Sequence, residues 1–135
     1  MKVYCGTDII EVSRIQKAVE ETKGFKENIF SKNEIEEIDS VKCQMKYQRY
    51  AGRFAAKEAL YKALSKILIE NQFNISFLDV EIMNVTELLK RPKVVFLNEN
   101  LKKLVEKLDI EIDISISHVK EMAVAMATVT MKKED

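Results

Sequence analysis

Arg49-Tyr50-Ala51-Gly52-Arg53-Phe54-Ala55-Ala56-Lys57-Glu58-Ala59-Leu60-Tyr61-Lys62-Ala63-Leu64 is the segment around which the chain is organised. Ala, Leu, Lys and Glu dominate it, and these residues lose little rotamer freedom in a helix. Tyr50, Phe54, Leu60, Leu64, Ile67 and Leu68 recur at helical spacing, which predicts a long helix with one apolar face, running through Ile69. Phe54, Glu58 and Lys62 stand one turn above another. Glu58 is thereby placed at the edge of the apolar stripe, among small alanines that let a ligand or another backbone come close. An exposed i,i+4 pair between Glu58 and Lys62 accounts for the same spacing.

Toward the N-terminus, Lys2 to Ile10 reads as a strand, with Val3, Ile9 and Ile10 apolar and Gly6 marking a close backbone approach. Asp8 is expected where that strand ends, and a helix carrying Ile15, Ala18 and Val19 follows, with Arg14, Lys17, Glu20 and Glu21 on its other side. At that position Asp8 is either a turn or cap residue or a ligand. Ser31 opens a short helix with a capping box to Glu34, and Phe30 is placed to staple onto Ile35. Residues 40–44 are a polar connection.

Beyond the central helix, Asn74 to Ile82 alternates in part as a strand, and Pro92 starts another that runs to Leu97. Asn98 caps a helix with Leu101, Leu104, Val105 and Leu108 on one face. Ile110, Ile112, Ile114 and Ile116 alternate strictly with Glu111, Asp113, Ser115 and Ser117, the period-two pattern of a half-buried strand. His118-Val119-Lys120-Glu121 reverses the chain, and Met122 to Met131 returns. The only histidine, His118, thus sits at a hairpin mouth, either as a hydrogen-bonded structural group or as part of a site. The pattern is α+β, a mainly antiparallel sheet packed on a long central helix, with one domain over 1–131 and a charged tail at 132–135.

Composition bounds the function. The chain has 135 residues, 47% of them hydrophobic, enough for one packed core. Basic and acidic residues both number 22, so no basic excess exists for general nucleic-acid binding. Cys5 and Cys43 are not spaced as a metal site or disulfide framework. No apolar run reaches membrane-spanning length and no signal-peptide core opens the chain, so the cytoplasm is expected, with no membrane partner.

Arg53-Phe54-Ala55-Ala56-Lys57-Glu58-Ala59 followed by Lys62-Ala63-Leu64 resembles the signature of the holo-acyl carrier protein synthases, which are phosphopantetheinyl transferases. Gly6-Thr7-Asp8-Ile9-Ile10-Glu11-Val12-Ser13-Arg14-Ile15 is similar to that family's first motif, and Ser115-Ile116-Ser117-His118-Val119-Lys120-Glu121-Met122 to its third. The resemblance implies transfer of 4′-phosphopantetheine from coenzyme A to a serine of apo-acyl carrier protein, in fatty acid biosynthesis. It implies Asp8 and Glu58 as magnesium ligands, Glu58 or a metal-bound water as base, and Lys62 as the cation at the departing phosphate. Arg53, Lys62, Pro92 and His118 become coenzyme contacts and Arg14 a carrier contact, in a homotrimer with sites shared between neighbours. Two readings of other classes stand beside it, a non-catalytic carrier-binding module on the same fold and a different coenzyme A enzyme such as an acyltransferase.

The chain departs from the family in its glycines. Tyr4 stands where an extra glycine is frequent, Ser65-Lys66-Ile67-Leu68 continues the central helix in place of a glycine-rich turn, and Lys90-Arg91-Pro92 replaces a Gly-Lys-Pro-like loop. Close backbone approach to phosphate is lost at those points, and Lys66, Lys90 or Arg91 is expected to substitute with side-chain charge.

Overall fold

A computed structural model describes residues 1–84 and 91–132. In chain order its elements are β1 (Lys2–Glu11), α1 (Val12–Glu21), α2 (Phe25–Ile29), α3 (Lys32–Asp39), α4 (Met45–Glu70), a 3-10 turn (Phe77–Asp79), β2 (Val80–Asn84), β3 (Pro92–Phe96), α5 (Glu99–Lys107), β4 (Ile110–His118) and β5 (Met122–Met131). Two antiparallel sheets form, one ordered β1-β5-β4 and one pairing β2 with β3. This is the expected α+β arrangement.

Helix α4 is the centre of the molecule. Its alanines Ala55, Ala56, Ala59 and Ala63 share one core cluster with Ala125, Ala127 and Val129 of β5, small residues on both sides that let helix and sheet close tightly. Leu60, Leu64 and Ile67 fill the same core, each contributing about 1.5–3 kcal/mol by leaving water. A second cluster joins Val12 and Ile15 of α1 to Phe30, Ile38, Tyr47 and Tyr50.

The single apolar face expected of α4 is incomplete, because Arg53 and Lys57 on its other side are buried as well. Carboxylates of α3 meet them. Lys57 Nζ lies 2.7 Å from Glu34 Oε1 and donates to the carbonyls of Ile29 and Phe77. Arg53 pairs with Glu37 and donates to the Ile82 carbonyl. Glu34 also accepts from the Ile82 amide at 2.8 Å and Glu37 from the Asn84 amide at 3.2 Å. The edge of β2 that lacks a strand partner is thus closed by side chains, and α3, β2 and α4 are tied together.

The capping box forms as read: Ser31 Oγ accepts from the Glu34 amide and Glu34 Oε1 from the Ser31 amide. Asn98 caps α5 through the amides of Asn100 and Leu101. Two expectations are corrected. Asp8 lies inside β1, paired with Ala125, and is not at the strand's end. Residues 74–79 are not strand; Asp79 Oδ2 accepts from the Ser76 amide at 2.8 Å, and that local bond folds a 3-10 turn ahead of β2.

Candidate active site

Gly6 sets the first part of the site. A Cβ built there would fall 2.1 Å from the Ala59 carbonyl oxygen and 2.7 Å from the Ala63 amide nitrogen, so only glycine lets β1 press onto this turn of α4. Two residues along the same face of β1, Asp8 arrives beside Lys62. Lys62 Nζ donates to Asp8 Oδ1 at 3.1 Å and to the Thr7 carbonyl at 2.9 Å. Glu58, one turn back on α4, has its pKa raised above the ordinary carboxylate value by burial and then by Asp8, with Lys62 opposing. Lys62 and Asp8 are thus in contact, and Glu58 stands near enough for the charges of both to act on it.

This geometry removes two alternatives. Asp8 caps no helix, since α1 begins at Val12 after Glu11, and Lys62 closes on Asp8 across to β1 in place of Glu58 on its own helix. Among the described residues no group of three or more His, Cys, Asp or Glu side chains gathers in a metal-like cluster. Two carboxylates from separate elements offer hard oxygen donors, the kind that would suit a cation that keeps waters and takes phosphate oxygens, as magnesium does.

The other site residues assemble elsewhere. Arg53, Pro92 and His118 line an open pocket of about 320 Å³, together with Arg49, Asn84 and Arg91 and with Ile114 to Ile116 of β4. His118 Nδ1 lies 2.7 Å from Gln48 Oε1, and Arg91 pairs with Asp113. None of Asp8, Glu58 and Lys62 lines this pocket. Asp8 belongs to β1 at one edge of the three-stranded sheet and the pocket to β4 at the other, with β5 between them. Arg49 and Asn84 were not singled out by sequence. Arg49 stands one turn before Arg53, a spacing that places both on one helix face.

Arg14 is exposed on α1, as are Lys17 and Glu21, while Glu20 accepts from Tyr47 Oη at 2.9 Å. Of the cations considered as substitutes for lost glycines, Arg91 lines the pocket and Lys66 is exposed on α4. Lys90 lies outside the described residues.

The family model of the 4′-phosphopantetheinyl transferase superfamily matches residues 4–127. The chain belongs to this superfamily. Similar members include the holo-[acyl-carrier-protein] synthases of Ruminiclostridium cellulolyticum, 40% identical over 97% of this chain and 94% of that protein, and of Fusobacterium nucleatum, 40% identical over 96% and 99%. Among solved structures, the synthase of Bacillus anthracis in complex with coenzyme A (3′,5′-ADP) aligns with a TM-score of 0.72 at 32% identity, covering 96% of each chain. The Helicobacter pylori synthase, in complex with coenzyme A, aligns with a TM-score of 0.69 at 32% identity over 93% of this chain and 99% of that one. These phosphopantetheinyl transferases share its fold from end to end.

Proposed function

We propose that the protein transfers 4′-phosphopantetheine from coenzyme A to a serine hydroxyl of an apo-acyl carrier protein, releasing adenosine 3′,5′-bisphosphate. The observation that carries this reading is the Asp8–Glu58–Lys62 group in a chain of this superfamily. Asp8 and Glu58 would hold magnesium, which supplies positive charge to the diphosphate when bound. The serine oxygen forms a bond to the pantetheine-side phosphorus, and the bond from that phosphorus to the bridging oxygen breaks. The serine proton passes to Glu58 in this reading, and Lys62 offsets charge on the departing bisphosphate. Arg53, Pro92 and His118 are assigned to the rest of the coenzyme and Arg14 to the acidic carrier. A binding-only module has no use for two carboxylates held together at an energetic cost.

The active assembly in this reading is a homotrimer, and helical arithmetic supports the sharing of its site between copies. Arg49 and Glu58 are nine residues apart on α4, about 2.5 turns and roughly 14 Å, which puts them on opposite faces of the helix. One coenzyme reaches both kinds of group only if a second copy brings its pocket to the carboxylates. Val3, Ile9, Val124 and Met126 project from the sheet face away from α4 and are exposed, an apolar surface suited to a neighbouring chain. The reading also assigns the enzyme to fatty acid biosynthesis in the cytoplasm.

The test is turnover. Parent protein, coenzyme A, magnesium and apo-carrier should yield carrier heavier by one phosphopantetheine, and chelation should stop the reaction. An unmodified carrier would refute the assignment and favour the binding-only reading. Light scattering at micromolar concentration should give three chains, and a fully active single chain would refute the shared site.

A further inference from the structure

Lys57 is fully buried, precedes Glu58 in the chain and has no part in the chemistry proposed above. Its ammonium has three donors, and all are spent: on Glu34 Oε1 at 2.7 Å, the Ile29 carbonyl at 2.8 Å and the Phe77 carbonyl at 2.9 Å. None is left for a ligand. Ile29 ends α2 and Phe77 begins the 3-10 turn. One point of α4 therefore holds both a helix C-terminus, whose last carbonyls have no intrahelical partner, and the turn that follows α4.

The turn so held reaches the flank of Glu58. The Phe77 ring stacks on Phe54, with centroids 5.6 Å apart and planes at 18°, and tilts against Tyr61 at 5.6 Å. Phe54 stands one turn before Glu58 and Tyr61 just under one turn after, so a ring touching both lies along the strip of α4 that carries Glu58. Tyr61 Oη fastens the same turn through the Ser76 carbonyl at 2.6 Å, and Phe54 meets Phe25 of α2 at 6.2 Å. Glu58 thus stands between β1, pressed onto α4 at Gly6, and Phe77, tied to Lys57.

We propose that Lys57, acting through Phe77, is a positioning residue for the transfer: it sets the end of α2 and the 3-10 turn against the turn of α4 that carries Glu58. The inference rests on the reading above, in which the carrier meets Arg14 of α1 and Glu58 takes the serine proton. Helix α1 packs on α2 and α2 on the 3-10 turn. The spacing between the incoming serine and its base therefore passes through Lys57, and an error of about 1 Å in it lowers turnover before it weakens binding.

The experiment uses full-length parent, Lys57→Met and the double variant Lys57→Met/Glu34→Gln, with coenzyme A, magnesium and one apo-carrier, well below each Tm. The double variant keeps the side-chain shapes and leaves no buried charge unpaired, so it should melt above Lys57→Met. Its kcat should still fall about tenfold to a hundredfold, with KM for coenzyme A near parental. By calorimetry it should bind adenosine 3′,5′-bisphosphate as the parent does. Phe77→Ala keeps the backbone tie to Lys57 but loses the ring, and should show the same split between kcat and KM. Parental kcat in the folded double variant overturns the proposal. Weakened bisphosphate binding, or a rise in KM for coenzyme A matching the fall in kcat, places the damage in the fold at large and also overturns it. If the double variant does not fold, parental kcat in Phe77→Ala overturns it. A parent that leaves the carrier unmodified refutes the transferase reading itself, whereas an active parent with an equally active double variant refutes only the role of Lys57.

Discussion

Replacing Gly6 by alanine puts a methyl carbon 2.1 Å from the Ala59 carbonyl oxygen and 2.7 Å from the Ala63 amide nitrogen. Both are backbone atoms of a helix fixed on several sides, so no rotamer change relieves the contact. Clearing Ala59 O to even 3.0 Å requires β1 and α4 to part by about 0.9 Å at that point. Overpacking of this kind costs about 3 kcal/mol, near the upper end of its usual range because backbone meets backbone, and lowers Tm by roughly 10 °C in a chain of this size. The same movement carries Asp8, two residues along β1, away from Glu58 and Lys62. A misplacement of about 1 Å is enough to reduce turnover on the order of a hundredfold. Calorimetric melting and carrier modification, measured well below the variant's Tm, give the two numbers separately. Gly52→Ala is the milder comparison: its Cβ meets only Ile116 Cγ2, at 3.0 Å, and no backbone atom of β4. A Gly6→Ala protein with parental Tm and parental turnover would show that the strand–helix contact does not set the site.

Asp8→Asn and Glu58→Gln should each cut turnover about a hundredfold or more, and the losses should not add in the double variant, since both act at one centre; near-parental turnover in either would remove that residue from the site. Without metal, Glu58 has a folded pKa above its unfolded value, so parent stability is full below the ordinary carboxylate range and falls as pH rises through the folded pKa. The Tm of Glu58→Gln relative to parent, measured in chelator, should therefore climb over that window and then level, and a flat difference would contradict the burial assigned to this carboxyl. Arg14→Ala should raise KM for the carrier, leave KM for coenzyme A nearly unchanged and reduce salt sensitivity; equal effects on both substrates would place Arg14 elsewhere. Lys57→Met strands Glu34 in the interior and should cost roughly 3–5 kcal/mol in urea unfolding, and a loss under 1 kcal/mol would mean the pair is solvated.

The elements legible in the sequence were those whose signals are local. The Ile110 to Ile116 alternation, the Ser31–Glu34 capping box and the Asn98 cap each specify their own element, and β4, α3 and α5 follow within a residue or so. Asp8, Glu58 and Lys62 were singled out through the family's motifs; in the structure Lys62 closes on Asp8, and the charges of both act on Glu58. The rest depends on pairings that periodicity cannot register. The burial of Arg53 and Lys57 has no signal in the helix's own periodicity; Glu37 and Glu34, about twenty residues earlier, supply their counter-charges. Helix α2 spans five residues, too few to show a period, and the 3-10 turn is closed by local bonds between Ser76 and Asp79 around Phe77 and Leu78.

The chain has only three glycines, and two of them stand where the proposed reading puts the two parts of its site. Gly6 admits β1 against the C-terminal half of α4, next to Asp8, Glu58 and Lys62. Gly52 admits Ile116 of β4 against the N-terminal half, next to Arg49 and Arg53. The two contacts differ in stiffness. At Gly6 backbone meets backbone, so the spacing of the carboxylates is inherited from the helix and cannot relax without moving a whole strand. At Gly52 the contact is with one side-chain methyl, so less of the backbone has to move to relieve it. That division suits a phosphoryl transfer, in which the reacting oxygens need fixed geometry while the rest of the coenzyme needs only to be held. It also predicts where substitutions are tolerated: changes around Gly52 should appear mainly in KM for coenzyme A, and changes around Gly6 in kcat.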